Sequence, residues 1–176
     1  MRGRNIRFNS YFLIALAWLL AGCASTKDPN DKLETSLMVY LEAVPNQMIS
    51  KKTIYLPRAN PVPIEIENLY LLTQDNVVSA SVVEQMGTYA IQIKFNDWAI
   101  PLLEHNSSSY QGRRLAMLAQ WGPKLEYGRW LAAPKMNRRI IDGTVTFTPD
   151  ASLEECYQIV IGLNNNARKA KNPLHW

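Results

Sequence analysis

The chain has 176 residues, 47% hydrophobic and 19% charged, a profile that excludes a disordered chain and fits one ordinary globular domain. Removing residues 1–22, which read as a leader, leaves 154, enough to bury roughly 70% of the unfolded surface and form a core without disulfides. The formal charge of +4 comes largely from that leader: Arg2, Arg4 and Arg7 are three of the 19 basic residues, so the remainder carries 16 basic against 15 acidic and gives no electrostatic case for nucleic acid.

The leader has a basic start, an apolar run from Tyr11 to Leu20 and small residues ahead of Cys23, the layout of a signal peptide. Ten apolar residues are about half of the ~20 that cross a bilayer, so a permanent transmembrane helix is the weaker reading. Leu20-Ala21-Gly22-Cys23 resembles the bacterial lipobox, which implies diacylglycerol on the Cys23 thioether and cleavage before it. An ordinary secretory signal with a chance cysteine is the alternative. Two or more acyl chains hold a protein stably on a membrane where one does not, so the membrane is an expected partner through Cys23. Ala24 in place of Asp after the lipidated cysteine favours, by the same resemblance, the outer over the inner membrane of a Gram-negative host. Residues 23–36, polar and with a proline, read as a flexible tether spanning roughly 20 Å.

Residues 37–72 form a short β-rich segment. Leu37–Val44 is rich in strand formers, and Thr53–Leu56 and Val62–Ile66 are two further strand candidates, with Pro57, Pro61 and Pro63 pointing to edges and extended connections. Thr73-Gln74-Asp75-Asn76 reads as a turn or short helical entry. Val77–Gln85 and Thr88–Phe95 alternate as a hairpin about Met86-Gly87, with Gly87 supplying a positive φ. Asp97 is the expected cap of a helix from Trp98 to about Tyr110, with Pro101 in its first turn and Gly112 ending it.

Arg113–Trp121 reads as a buried strand before a turn at Gly122-Pro123, and Trp130–Pro134 as a short apolar segment. Thr144–Phe147 is a last strand after a turn at Asp142-Gly143. A helix follows over Ala151–Leu163, started by Thr148-Pro149-Asp150, with Leu153, Cys156, Tyr157, Val160 and Leu163 expected on one buried face. Residues 165–176 read as a polar tail. Strands outnumber helices and no βαβ repeat is visible, which predicts an α+β fold: a mixed or antiparallel sheet with two main helices on one face, preceded by the β-rich segment.

The order of features from residue 73 to 164 resembles the first periplasmic head domain of SecD, the membrane protein that assists protein export. The residues that carry the resemblance are Leu103, Ser107, Gly112 and Leu115-Ala116, then Ala133-Pro134, Met136, Ile140, Gly143, the strand Val145–Phe147 and the helix Ala151–Leu163. A second glycine that follows the strand in that family is missing around Val145-Thr146-Phe147. The family's membrane-helix bundle has no counterpart here, so a proton-driven motor is not expected. The resemblance implies an α+β domain that works by touching other proteins.

Catalytic candidates are few. His105 and His175 are the two histidines, and His105, beside Glu104 and Ser107-Ser108-Ser109, lacks a third partner for a triad, so the exposed-surface reading is preferred. The eight glycines form neither a dinucleotide fingerprint nor a P-loop, and no cofactor and no metal site is expected. Glu154-Glu155 reads as a carboxylate pair offsetting a helix dipole. Cys156 is left without an intramolecular partner if Cys23 is acylated: it is either a small apolar residue on a helix face or a reactive thiol. The remaining candidate is the basic and aromatic set Arg113, Arg114, Arg129 and Trp130, residue types that dominate interfaces when clustered, against the alternative that the aromatics are core and the arginines a solvated rim. Two functions stay open: a non-catalytic interaction module with a protein partner in the envelope, connected with export, or an envelope enzyme or ligand-binding protein acting on a cell-wall or lipid component. The sequence does not indicate an oligomeric state.

Overall fold

The computed structural model describes residues 29–45, 48–57, 61, 63–85 and 87–171. The leader, Cys23, His175 and the last five residues lie outside the described residues. Among the described residues, eight strands and two longer helices run in the order β1 (Ser36–Glu42), β2 (Lys51–Tyr55), β3 (Pro63–Thr73), β4 (Val77–Gln85), β5 (Thr88–Phe95), α1 (Ala99–Ser109), β6 (Leu115–Trp121), β7 (Tyr127–Ala132), β8 (Thr144–Phe147) and α2 (Leu153–Lys171). The fold is α+β with every strand pair antiparallel, but the strands divide into two sheets, ordered β2-β3-β1-β6-β7 and β4-β5-β8.

The five-stranded sheet is buried on both faces at its centre, which is why Leu115–Ala119 reads as an unbroken apolar run instead of an alternation. Leu37, Val39, Leu115, Met117, Ala119 and Trp121 point into the main core. There they meet Ile91, Ile93 and Phe95 of β5, Val145 and Phe147 of β8, Ala99 and Leu103 of α1, and Cys156, Ile159 and Leu163 of α2. Both helices thus enter the core from one face of that sheet. On its other face Tyr40, Ile54, Ile64, Ile66, Ala116 and Ala133 form a smaller cluster. Because β1 pairs with β6 (Leu37↔Ala119, Val39↔Met117), the β-rich segment is built into the same sheet as the rest of the chain. No helix among the described residues is long and apolar enough to cross a membrane.

Several expectations are corrected. Strand β3 extends to Thr73 and is flanked by β1 and β2, with Pro63 tolerated as its first residue. The oxygen that caps α1 comes from Asn96, whose Oδ1 accepts the Ala99 N–H at 3.1 Å, not from Asp97. Helix α2 is capped by Ser152: its Oγ accepts the Glu155 N–H at 3.2 Å while Glu155 Oε2 accepts the Ser152 N–H at 2.7 Å, a reciprocal box.

The phase of α2 is also different. Cys156, Val160 and Leu163 are buried as expected, but the stripe continues through Ile159 and Ala167, and Leu153 and Tyr157 are 45% and 52% exposed. The helix continues eight residues beyond Leu163, so the expected tail is helical as far as Lys171. The described part of the expected tether, residues 29–36, packs on the domain. A 3-10 turn over Pro29–Lys32 lies on α2, where Asn165 Nδ2 donates to the carbonyls of Asn30 (2.7 Å) and Leu33 (2.9 Å), and Asn166 Nδ2 donates to that of Thr35 (2.7 Å).

Candidate interaction groove

The basic and aromatic residues singled out from sequence are brought to three places, not to one surface. Arg113, with its side chain 11% exposed, donates Nε to the Glu42 carbonyl at 2.7 Å and Nη2 to the same carbonyl and to Glu67 Oε1 at 2.6 Å, tying the β6 entrance to β1 and β3. Arg114 donates its N–H to Glu42 Oε2 at 2.8 Å and Nη1 to the Ala133 carbonyl at 3.1 Å. Arg129 reaches the start of α2, donating Nε to the Asp150 carbonyl at 3.0 Å and Nη2 to Glu155 at 2.7 Å, and its guanidinium lies over the Trp121 ring. Trp130, one residue on and therefore on the opposite face of the sheet, meets Tyr40 edge to face at 5.5 Å, with Lys52 over the Tyr40 ring.

The Glu155 clamp carries a pH dependence. Burial pushes its carboxyl up, but the Ser152 N–H and the Arg129 charge outweigh this and hold it below the ordinary carboxylate range. A carboxylate titrating lower in the folded than in the unfolded chain stabilises fully above its unfolded value, and that contribution is lost as pH falls through the folded one. Thermal stability is expected to decline below about pH 4.5, with a shallower slope for Glu155→Gln, measured by melting in buffers of stepped pH.

His105 is exposed on α1, and among the described residues no three His, Cys, Asp or Glu side chains are grouped to hold a metal ion. Ser107 is fully buried and structural: its Oγ donates to the Glu104 carbonyl at 3.2 Å and accepts the Ile140 N–H at 2.9 Å. Cys156 is fully buried, and burial first, then the neighbouring Glu155 charge, push its thiol up to about 11. At pH 8 roughly one thiol in a thousand would be ionised, so Cys156 is expected to resist thiol reagents in the native protein and to react once urea unfolds it. Rapid native labelling would contradict this packing.

A concave feature lies elsewhere. A groove of about 340 Å³ runs between β8 and the segment Pro134–Ile140, lined by Thr144, Val145, Thr146, Met136 and the exposed cations Lys135 and Arg138. Three consecutive strand residues share one cavity, although alternate side chains point to opposite faces, because the groove meets β8 along its edge. The register supports the same geometry. The Phe95 N–H donates to the Gly143 carbonyl at 2.9 Å, and Ile93↔Val145 and Ile91↔Phe147 follow at two-residue steps, so the backbone polar groups of Thr144 and Thr146 face outward. The Thr144 N–H is taken by Asp142 Oδ1 at 3.0 Å, whereas the Thr146 N–H and carbonyl have no partner among the described residues.

Of the residues that carried the family resemblance, Leu115, Pro134, Met136, Ile140, Val145 and Thr146 line this groove, and others hold its wall in place. Ser107 pins Ile140. The Gly112 N–H donates to the Met136 carbonyl at 2.9 Å, and Arg114 bridges to Lys135. Gly143, at φ +66°, turns the chain into β8 where a Cβ would lie 2.7 Å from Ile100. The sequence pointed to these positions through spacing, but not to the groove, since an open strand edge has no composition of its own.

The fold is that of a SecD-like α+β domain. Its fold matches a solved structure of SecDF, described as a membrane component that enhances protein export, with a TM-score of 0.52 and 18% identity over 94% of this chain and 76% of that one. SecDF in a super-membrane-facing form matches with a TM-score of 0.46 and 15% identity, over 88% of this chain and 32% of that one. Translocon-associated SecDF from Thermus thermophilus matches with a TM-score of 0.41 and 14% identity, over 90% of this chain and 34% of that one. No family model and no curated protein matches the sequence.

Proposed function

We propose that this chain is a lipid-anchored envelope protein whose SecD-like domain is a non-catalytic interaction module connected with protein export, holding an extended segment of a partner polypeptide along the edge of β8. The observation that carries the reading is the unpartnered Thr146 backbone beside a groove with two exposed cations. An added strand gains main-chain hydrogen bonds that are indifferent to sequence, which suits a partner met in an extended state, and Lys135 and Arg138 favour acidic side chains at its flanks. The SecD-like fold supports the link to export, and the leader pattern ending at Cys23 supports the anchor.

A photo-crosslinker at Asn137, on the rim of the groove, tests this in cells. Adducts with exported polypeptides are expected, and Thr146→Pro, which deletes the outward N–H at an edge position that tolerates proline, is expected to remove most of them. Adducts that persist unchanged in Thr146→Pro would overturn strand addition. Turnover of a cell-wall or lipid component by the purified protein would overturn the non-catalytic reading.

A further inference from the structure

The face of α2 that carries Leu153 and Tyr157 is open and partly apolar. Leu153 and Tyr157 project from it about half exposed. On one side they border a hollow of about 540 Å³ shared with Ile161 and Asn30, and on the other a hollow of about 310 Å³ shared with Val82, Val83 and Tyr89. These contiguous residues make an amphipathic stripe, with Arg168, Lys169 and Lys171 in the last turn of the same helix.

Where the chain enters the domain decides what lies opposite this face. The 3-10 turn at Pro29–Lys32 rests on α2 and is tied there by Asn165, by Lys169 to Glu34 at 2.5 Å and by Arg168 to Asp31 at 3.6 Å. Five residues lie between Cys23 and Pro29, so even a fully extended chain, six steps long, places Cys23 within about 20 Å of that turn. Asn30 of that turn also lines the hollow beside Leu153 and Tyr157, so lipid on Cys23 brings the bilayer within a short tether's reach of this face.

We propose that the outer face of α2 rests on the membrane that holds the Cys23 lipid, with Leu153 and Tyr157 at the boundary between headgroups and acyl chains. Tyrosine suits that depth, since its ring is apolar and its hydroxyl stays wet. Lys171, eighteen residues and five turns after Leu153, falls on the same face of the helix, while the β8 groove lies on the far strand of the three-stranded sheet from β4, where α2 packs. This orientation rests on the anchor reading of Cys23.

The test uses the full lipidated chain in vesicles of phosphatidylethanolamine with a minority of phosphatidylglycerol. A bimane label is placed at Tyr157→Cys or at the control Thr53→Cys, an exposed position on β2, the edge strand of the other sheet. Buried Cys156 stays unlabelled. Lipids carrying a nitroxide high on the acyl chain are expected to quench the label at 157 several-fold more than that at 53, and a label at Leu153→Cys gives the same readout if Tyr157→Cys does not fold. Equal quenching at both sites in protein that floats with the vesicles would overturn the orientation and leave the anchor standing. Protein that carries no lipid by mass and does not float would overturn the anchor, and the orientation with it.

Discussion

Replacing Arg113 with alanine is expected to destabilise the domain by about 2–3 kcal/mol, read as a lower urea midpoint with an unchanged slope. The guanidinium makes charge-assisted hydrogen bonds to the Glu42 carbonyl and the Glu67 carboxylate from a side chain that is 11% exposed, and Glu67 itself is 20% exposed. Removing a fully buried partner costs about 3–5 kcal/mol, and the residual exposure of Glu67 moderates that figure. The measurement separates two roles. An arginine that served only a partner surface would leave stability within about 0.5 kcal/mol and weaken partner recovery. Arg113→Lys should fall between, because an ammonium keeps the pair with Glu67 but cannot span both acceptors with a planar fork.

Gly162→Ala is expected to lower stability as well, against the usual gain of about 1 kcal/mol from alanine in a helix. A Cβ at 162 would lie 2.8 and 2.9 Å from the backbone of Glu34 and Thr35, and closer still to Thr35 Oγ1, where the segment leading into β1 crosses α2. Overpacking of this kind costs about 1–3 kcal/mol and would push residues 29–36 off the helix. Urea melts together with hydrogen exchange of the Leu37 amide check both effects. Thr35→Ala should restore only part of the loss, because it removes the side-chain collision and leaves the backbone one; full restoration would locate the strain in the hydroxyl alone. A stabilised Gly162→Ala protein would contradict the crossing.

The parts of this fold that rest on local pattern were legible in the sequence. The hairpin Val77–Gln85 and Thr88–Phe95 falls where period-two alternation and Gly87 place it, and the turns at Gly122 and Gly143 have the positive φ that glycine accommodates. What escaped were features set by distant partners. Asn164, Asn165 and Asn166 look like the end of a helix, yet Asn165 is fully buried and its amide satisfies carbonyls more than 130 residues away. No periodicity encodes such a bond. Leu153 and Tyr157 share the spacing of Val160, but the buried stripe is set by what α2 packs on, so both turned out exposed. In the same way the arginines were visible as residues, while whether each meets a carbonyl or solvent depends on chain crossings that composition does not record.

The amide of Asn164 has a consequence of scale. Its Oδ1 accepts the Ala80 N–H at 2.8 Å and its Nδ2 donates to the Ala80 carbonyl at 2.9 Å, the pair of bonds that a neighbouring strand would make to β4. A side chain thus stands in for a strand and shuts one margin of the three-stranded sheet at that residue, while the β8 margin stays open. A strand cannot pair along β4 through Ala80 without displacing that amide, so β8 is the margin at which a strand can add without breaking an existing bond. For the strand addition proposed above, this arrangement implies one guest strand per domain at this sheet.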